Sequence, residues 1–165
     1  MEHSTVIQKI EYTNEWIGKI VCFLAAPLCL LIAFEVIRRA VGSPTIWSYE
    51  ISLMLFGSHF MLLAAYGLKH KAHASIDIIS RRFSEKTQCI LSLISYIVLF
   101  FPMWTFFFIF GLGFAYDAWV CMETSWTMWG QPLYIVKTII PVTAFLLILQ
   151  GVAEVIKLAD SIWRG

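Results

Sequence analysis

Residues 20–34 read IVCFLAAPLCLLIAF, a run without a single charged side chain. The apolar positions are continuous, whereas a strand of a membrane β-barrel alternates apolar and polar positions over about ten residues. Continuity over such a length is typical of a helix that crosses a lipid bilayer. Pro27 lies inside the run, and membrane helices tolerate proline where neighbouring groups satisfy the freed carbonyl. The stretch therefore predicts a transmembrane helix.

Extended to its neighbours, this block covers residues 17–34, and three similar blocks follow at 51–68, 90–116 and 133–151. Each has about 18 residues or more, enough at about 1.5 Å per residue to cross a hydrocarbon core of about 30 Å. The chain is 59% hydrophobic and 14% charged, which excludes an ordinary soluble protein. We predict an all-α integral membrane protein with one domain, residues 1–165. Its four transmembrane helices are expected at about 17–39, 48–68, 90–116 and 133–156.

Basic residues are distributed unequally between the two sides of this predicted bundle. Cytoplasmic loops of membrane proteins carry the excess of Lys and Arg, so we predict that both termini are cytoplasmic. Acidic residues before the first block argue against a cleaved secretory signal. The larger basic set lies on the side of the two termini and the middle loop: Lys9, Lys19, Lys69, Lys71, Arg81, Arg82, Lys86, Lys157 and Arg164. The smaller set is Arg38, Arg39 and Lys137.

Two amphipathic segments beside the spans predict short interfacial helices. The N-terminal tail is expected to lie along the cytoplasmic surface, and the middle loop LKHKAHASIDIISRRFSEK, residues 68–86, predicts a second such helix over about 74–86. Within this loop, His70, His73 and Asp77 could share one face and hold zinc. However, the surrounding basic residues would repel a divalent cation, and a fourth ligand is absent nearby. We interpret the loop as a topological signal and a membrane-binding segment.

Ser58 and His59 lie near the middle of the second predicted span. An ionisable group inside a membrane is a functional candidate by default. A b-type haem normally needs two axial histidines at similar depth, and no second histidine is suitably placed. We therefore expect a neutral imidazole hydrogen-bonded to a neighbouring helix. The alternative function is a membrane anchor of a redox complex, with haem or quinone near His59.

Four charges flank the predicted external turn between the first two spans. Glu35, Arg38 and Arg39 have the i, i+3, i+4 spacing of a local ion cluster. Glu50 opens the second span, where the helix dipole favours a carboxylate. We interpret these charges as holding the turn together. The alternative is that Arg38 or Arg39 contacts a partner or an anionic solute.

A transport site of its own is not evident in this chain. Self-sufficient secondary transporters usually show internal repeats, broken helices and mid-membrane polar groups for the coupling ion. The chain has no internal repeat, and its mid-span polar groups are His59 and a few hydroxyls. We predict a non-enzymatic subunit with no catalytic residue, cofactor, metal or nucleic-acid partner. A small dimeric exporter is a further alternative, although Glu35 lies too near the membrane edge to be its central carboxylate.

Several marks recur in an order that points to one family. An Arg closes the first helix, a Trp and a Glu open the second, and an H-x-x-x-D follows it: Arg39, Trp47, Glu50, His73 and Asp77. With four spans and this length, the chain resembles the small membrane subunit (DctQ type) of tripartite ATP-independent periplasmic (TRAP) transporters. The resemblance extends through PLYIVKTIIPVTAFLLILQG, residues 132–151. It departs at Ser58, where a Trp is frequent, at Leu63, near which a Gly is frequent, and at Glu35, where an Asn is common.

The resemblance implies a scaffold in a permease of two different subunits in a bacterial inner membrane. A larger DctM-type subunit would move the solute by an elevator-like motion driven by a sodium gradient. A periplasmic solute-binding protein would deliver an organic acid, such as a C4-dicarboxylate, a sialic acid or a similar carboxylate. Phospholipids are the remaining expected partners, and sodium coupling is expected in the larger subunit. His73 and Asp77 are expected to shape the turn from the second span into the interfacial helix.

Overall fold

The computed structural model describes residues 2–70 and 85–164, and within them the regular secondary structure is helical. One isolated antiparallel bridge joins Thr124 to Pro132. The helices are α1 (Glu2–Cys22), α2 (Ala25–Ala40), α3 (Ile46–Lys69), α4 (Glu85–Ser95), α5 (Phe101–Val120) and α6 (Leu133–Arg164). A π-helical turn, Tyr96–Phe100, joins α4 to α5.

Four helical segments are long and apolar enough to cross a membrane, which confirms the number of spans predicted from the sequence. They cover Ile7–Ala40, Ile46–Lys69, Thr87–Val120 and Leu133–Trp163. The first begins ten residues before the expected position 17, and the third ends at 120 instead of 116. Hydropathy marks where a segment becomes polar, but a helix continues wherever its polar side chains find partners. Glu11, Glu15 and Lys19, near the start of the first span, have such partners, as described below.

The first span is interrupted at Phe23 and Leu24, where α1 ends and α2 begins. Pro27 causes the interruption, because it has no N–H to donate to the carbonyl four residues earlier. That carbonyl belongs to Phe23 and accepts a longer bond from the Ala26 amide at 3.3 Å. The Leu24 amide donates to the Val21 carbonyl at 2.9 Å. The span is therefore two helices joined by a tight turn.

The third span has an analogous irregularity just before Pro102. The Phe101 amide donates to the carbonyl of Tyr96, five residues earlier, which is the bond of a π-helical turn. A proline ring would clash with the carbonyl four residues before it in a regular helix. The wider turn accommodates that carbonyl, so Pro102 is preceded by a local π-turn in this long span.

Helix α6 forms the centre of the bundle and packs against α1, α3, α4 and α5. Half of the most apolar 18-residue stretch of α6 is buried inside the chain. None of the corresponding stretch of the third span is buried. The buried cluster consists of Ala65, Leu68, Leu146 and Leu147, covered by side chains such as Phe100 and Trp104. The core therefore lies between α3 and α6.

The N-terminal tail, expected along the membrane surface, forms α1 and packs against α3 and α6. Gly18 faces Tyr66 so closely that a Cβ at position 18 would lie 2.8 Å from Cβ of Tyr66. Only a residue without a side chain permits this approach of α1 to α3. The interfacial helix predicted over 74–86 lies mostly outside the described residues.

Candidate functional site

The turn between the first two spans is organised around Glu35, which is 6% exposed. Its Oε1 accepts a bond from Arg39 Nε at 2.8 Å, one helical turn further along α2. Its Oε2 accepts from the Thr45 hydroxyl at 2.5 Å and from the Ser48 hydroxyl. Thr45 occupies the N-cap position of α3, yet its hydroxyl donates to Glu35 instead of capping the helix. One carboxylate therefore joins the end of α2 to the start of α3; we call these four residues the Glu35 cluster.

The expected four-charge arrangement at this turn forms only in part. Arg39 joins Glu35, but the exposed side chain of Arg38 makes no ion pair within the described part of the chain. Glu50 does not reach the cluster either. It lies one turn inside α3, which begins at Ile46, so it is not the dipole-stabilised first-turn carboxylate that the sequence suggested. The environment of Glu50 is determined instead by the loop between α5 and α6.

Glu50 is 4% exposed and faces the connection between α5 and α6. The Ser125 hydroxyl donates to its Oε2 at 3.1 Å, while its Oε1 has no hydrogen-bond partner within residues 2–70 and 85–164. Met122 (φ 44°) and Gly130 (φ 64°) adopt left-handed conformations that reverse this connection. The Glu50 carboxylate therefore ties the loop to α3.

The same connection carries an ion pair between Glu123 and Lys137. The Leu133 amide donates to the Glu123 carbonyl at 2.9 Å, which holds the two ends of the loop together. At its tip, Trp126 and Met128 are almost completely exposed. The loop is thus a closed hairpin-like unit with an apolar tip.

Trp47 and Ser58 have less central positions in α3. The Trp47 ring is partly exposed and packs against the Phe34 ring, with centroids 6.0 Å apart, so it covers the end of α2. Ser58 is half-buried near the middle of the helix. Neither residue is brought to the Glu35 cluster.

His59 forms the predicted hydrogen bond to a neighbouring helix. Its Nδ1 lies 3.0 Å from the Val21 carbonyl, at the point where α1 ends, and the ring nitrogen is the donor because a carbonyl can only accept. The imidazole thus gives the Val21 carbonyl a second hydrogen-bond donor at the point where the helix of the first span is interrupted. His70, eleven residues later on the same chain segment, lies about 16 Å further along by helix geometry and cannot share a haem iron with His59.

At the opposite end of the first span, a buried polar pair joins α1 to α6. Asn14 Nδ2 donates to Gln150 Oε1 at 2.7 Å, and the two residues are 2% and 0% exposed. Gln150 Nε2 donates in turn to Glu154 at 3.2 Å. Lys157 forms ion pairs with Glu154, at 2.9 Å, and with Glu11 of α1. We call this chain of contacts the Asn14 network.

A second set of charges joins α1 to α3 beside that network. Lys69 Nζ lies 2.6 Å from Glu15 Oε2, with both side chains about four-fifths buried. His70 Nε2 lies 3.2 Å from the same oxygen, and Lys19 lies 3.3 Å from Glu15 Oε1. Glu15 thus contacts three basic side chains. The contacts to Lys69 and His70 hold the end of α3 against α1.

These two sets of contacts were not predicted from the sequence. The sequence did contain a signal for the Asn14 network, because Gln150 and Glu154 are polar residues four positions apart in an apolar run. Residues at that spacing share a helix face, and in a membrane such a face must meet another polar group. The partners of that face could not be deduced, because Asn14 is 136 residues distant in sequence. His73 and Asp77, two of the family marks, lie outside the described residues.

The arrangement as a whole defines a helical membrane protein in which several buried polar groups join its own helices to one another. No group of three or more potential metal-ligating side chains occurs within the described residues. The family model for the DctQ component of tripartite ATP-independent periplasmic transporters matches residues 28–161. The chain belongs to this family and is a small membrane subunit of a TRAP transporter; the family is one of transporter subunits and not of enzymes. No curated protein matches the chain.

Proposed function

We propose that this subunit is a stationary scaffold for the large DctM-type subunit and does not translocate solute itself. The observation that carries the proposal is that three sets of its buried or largely buried polar groups hold helices together. Asn14 bonds to Gln150, Glu15 to Lys69, and Glu35 to the start of α3. Groups that are engaged in holding helices together are unavailable to bind a moving ion or substrate.

The apolar surface of the third span supports the same role. Phe106, Phe107, Phe110 and Phe114 are each about half exposed or more. A surface of this kind requires lipid or another protein to cover it. We expect the large subunit to cover part of it. In that arrangement the small subunit enlarges the immobile part of the permease, against which the transport domain of its partner moves.

The proposed transport cycle follows from the family. A periplasmic binding protein delivers an organic acid, such as a C4-dicarboxylate or a sialic acid, and a sodium gradient drives uptake through the large subunit. The chain itself needs no cofactor in this scheme. The unequal distribution of Lys and Arg supports an inner-membrane orientation with both termini in the cytoplasm.

Reconstitution into liposomes tests the division of labour. Vesicles would contain the small subunit, the large subunit or both, with binding protein and a panel of labelled organic acids outside. We expect accumulation only when both subunits, the binding protein and an inward sodium gradient are present. Accumulation by the small subunit alone would refute the scaffold role. A Soret absorption band in the purified chain would instead favour the redox-anchor alternative at His59.

Co-purification tests the proposed contact surface. Alanine at Phe106 and Phe110 is expected to lower the yield of large subunit recovered with the tagged chain. Alanine at Phe23 and Leu30, which are apolar residues of the first span even more exposed than this pair, provides the control. Equal recovery with both variants would assign the third-span surface to lipid.

We infer that Asp77 pairs with a nearby basic residue and that His73 helps to shape the chain where it leaves α3. Asp77→Ala is then expected to reduce assembly with the large subunit and solute uptake. Wild-type assembly and uptake in this variant would refute the assignment.

A further inference from the structure

An apolar groove of about 410 Å³ runs between α2 and α3 on the surface of the bundle. Its walls include Ile32 and Val36 from α2 and Leu53 and Phe56 from α3, each about half exposed. The volume falls within the range of about 300 to 1,000 Å³ that is usual for small-molecule sites. The groove opens sideways, toward the hydrocarbon that would surround these two spans.

The lining of the groove is almost wholly apolar, and Arg39 and Tyr49 contribute to it mainly through their nonpolar atoms. These two residues mark the end of the groove nearest the turn between α2 and α3, with the guanidinium carbon 5.6 Å from the centre of the tyrosine ring. Arg39 uses Nε for Glu35, and its two terminal nitrogens have no hydrogen-bond partner in the described part of the chain. The Tyr49 hydroxyl is likewise without a partner among those residues, and Arg38 adds an exposed positive charge on the next position of α2. Glu35, Arg38 and Arg39 together leave one net positive charge at this end.

The apolar groove and the positive charge at one end together restrict which ligands fit. A molecule that fits must place an anionic group at the Arg39 end and an alkyl chain along the groove. A phospholipid satisfies both conditions at once, because its phosphate lies at the membrane surface when its acyl chain lies in the hydrocarbon. A helix from another protein would need a carboxylate at this one level and apolar side chains below it.

We propose that the groove is a binding site for an anionic phospholipid. The phosphate accepts hydrogen bonds from the Arg39 terminal nitrogens and the Tyr49 hydroxyl, and one acyl chain lies against Val36 and Leu53. The lipid covers the seam between α2 and α3 next to the Glu35 cluster. It is therefore bound at a defined place and not merely part of the surrounding bilayer.

Native mass spectrometry of the delipidated full-length chain, titrated with phosphatidylglycerol or phosphatidylcholine of identical acyl chains, tests the proposal. The wild-type chain is expected to retain phosphatidylglycerol roughly fivefold better, as one basic residue near an anionic headgroup provides. Arg39→Gln is expected to abolish this preference. Leu53→Trp, which fills the groove and leaves Arg39 in place, is expected to lower retention of both lipids. Leu30→Trp, at an exposed position of α2 that does not line the groove, is the control.

Equal retention of the two lipids by the wild-type chain would show that the charge of the headgroup is not recognised and would overturn the proposal. The same conclusion follows if Leu53→Trp and Leu30→Trp behave alike. A cryo-EM map of the complex with the large subunit supplies an independent test. Lipid density along the groove with its headgroup at Arg39 would support the site, and a protein helix in that position would exclude it.

Discussion

Replacing Gly18 by alanine is expected to separate α1 from α3. A Cβ at this position would lie 2.2 and 2.5 Å from two ring carbons of Tyr66 and 2.8 Å from its Cβ. The ring can rotate, but Cβ moves only with the backbone, so the helices must move apart. Overpacking of this kind costs about 1–3 kcal/mol, while alanine gains about 1 kcal/mol over glycine in helix propensity. Gly57→Ala isolates the propensity gain, because nothing lies within 4 Å of a Cβ at Gly57.

The assay is reversible unfolding in mixed micelles, followed by circular dichroism as the fraction of denaturing detergent rises. Gly18→Ala is expected to be less stable than Gly57→Ala by about 1–3 kcal/mol. A second alanine at Tyr66 should remove only the part of that difference that the ring causes, because the Cβ of residue 66 remains 2.8 Å from the new Cβ. If Gly18→Ala and Gly57→Ala unfold at the same detergent fraction, the close approach of α1 to α3 is wrong.

Three further predictions concern the polar contacts between helices. A double-mutant cycle with Asn14→Ala and Gln150→Ala, measured in the same unfolding assay, should give a coupling energy of about 0.6–1.7 kcal/mol; independent effects would contradict the buried bond. Lys69→Met should destabilise the chain more than Lys9→Met, since Lys69 is paired with Glu15 in the structure; equal loss would count against that pair. Glu35→Gln should lower the midpoint of thermal unfolding, because Arg39 loses its charged partner; an unchanged midpoint would argue against the Glu35 cluster.

Local sequence features account well for the contacts made within one segment. Glu35 and Arg39 are four residues apart in a helix, so their pairing follows from spacing alone. The break near Pro27 follows from the missing proline N–H, and the π-turn before Pro102 follows from the clash that the proline ring would make in a regular helix. The bond from His59 to another helix was expected because a mid-membrane imidazole needs a partner. Its acceptor, the Val21 carbonyl, was not predictable, since it depends on how α1 lies against α3.

Glu50 shows where local reasoning fails. The sequence placed it at the start of a helix and assigned it to the helix dipole. In the structure, α3 begins four residues earlier and the carboxylate is buried under the loop that carries Ser125. Helix termini depend on which capping contacts are formed, and here Thr45 donates its hydroxyl to Glu35. A distant loop and a neighbouring helix thus decided the environment of this residue.

By itself, the sequence determined that the chain is helical, that four segments can cross a membrane, and which family it resembles. Those properties depend on hydropathy and on residue order along short stretches, and both can be read directly. Only the tertiary structure decided that Asn14 meets Gln150, that Glu15 receives Lys69, and that a groove opens beside Arg39. Such contacts join residues far apart in the chain, and many pairings of four apolar helices bury similar surface. The arrangement is selected by the few polar groups that must be satisfied together.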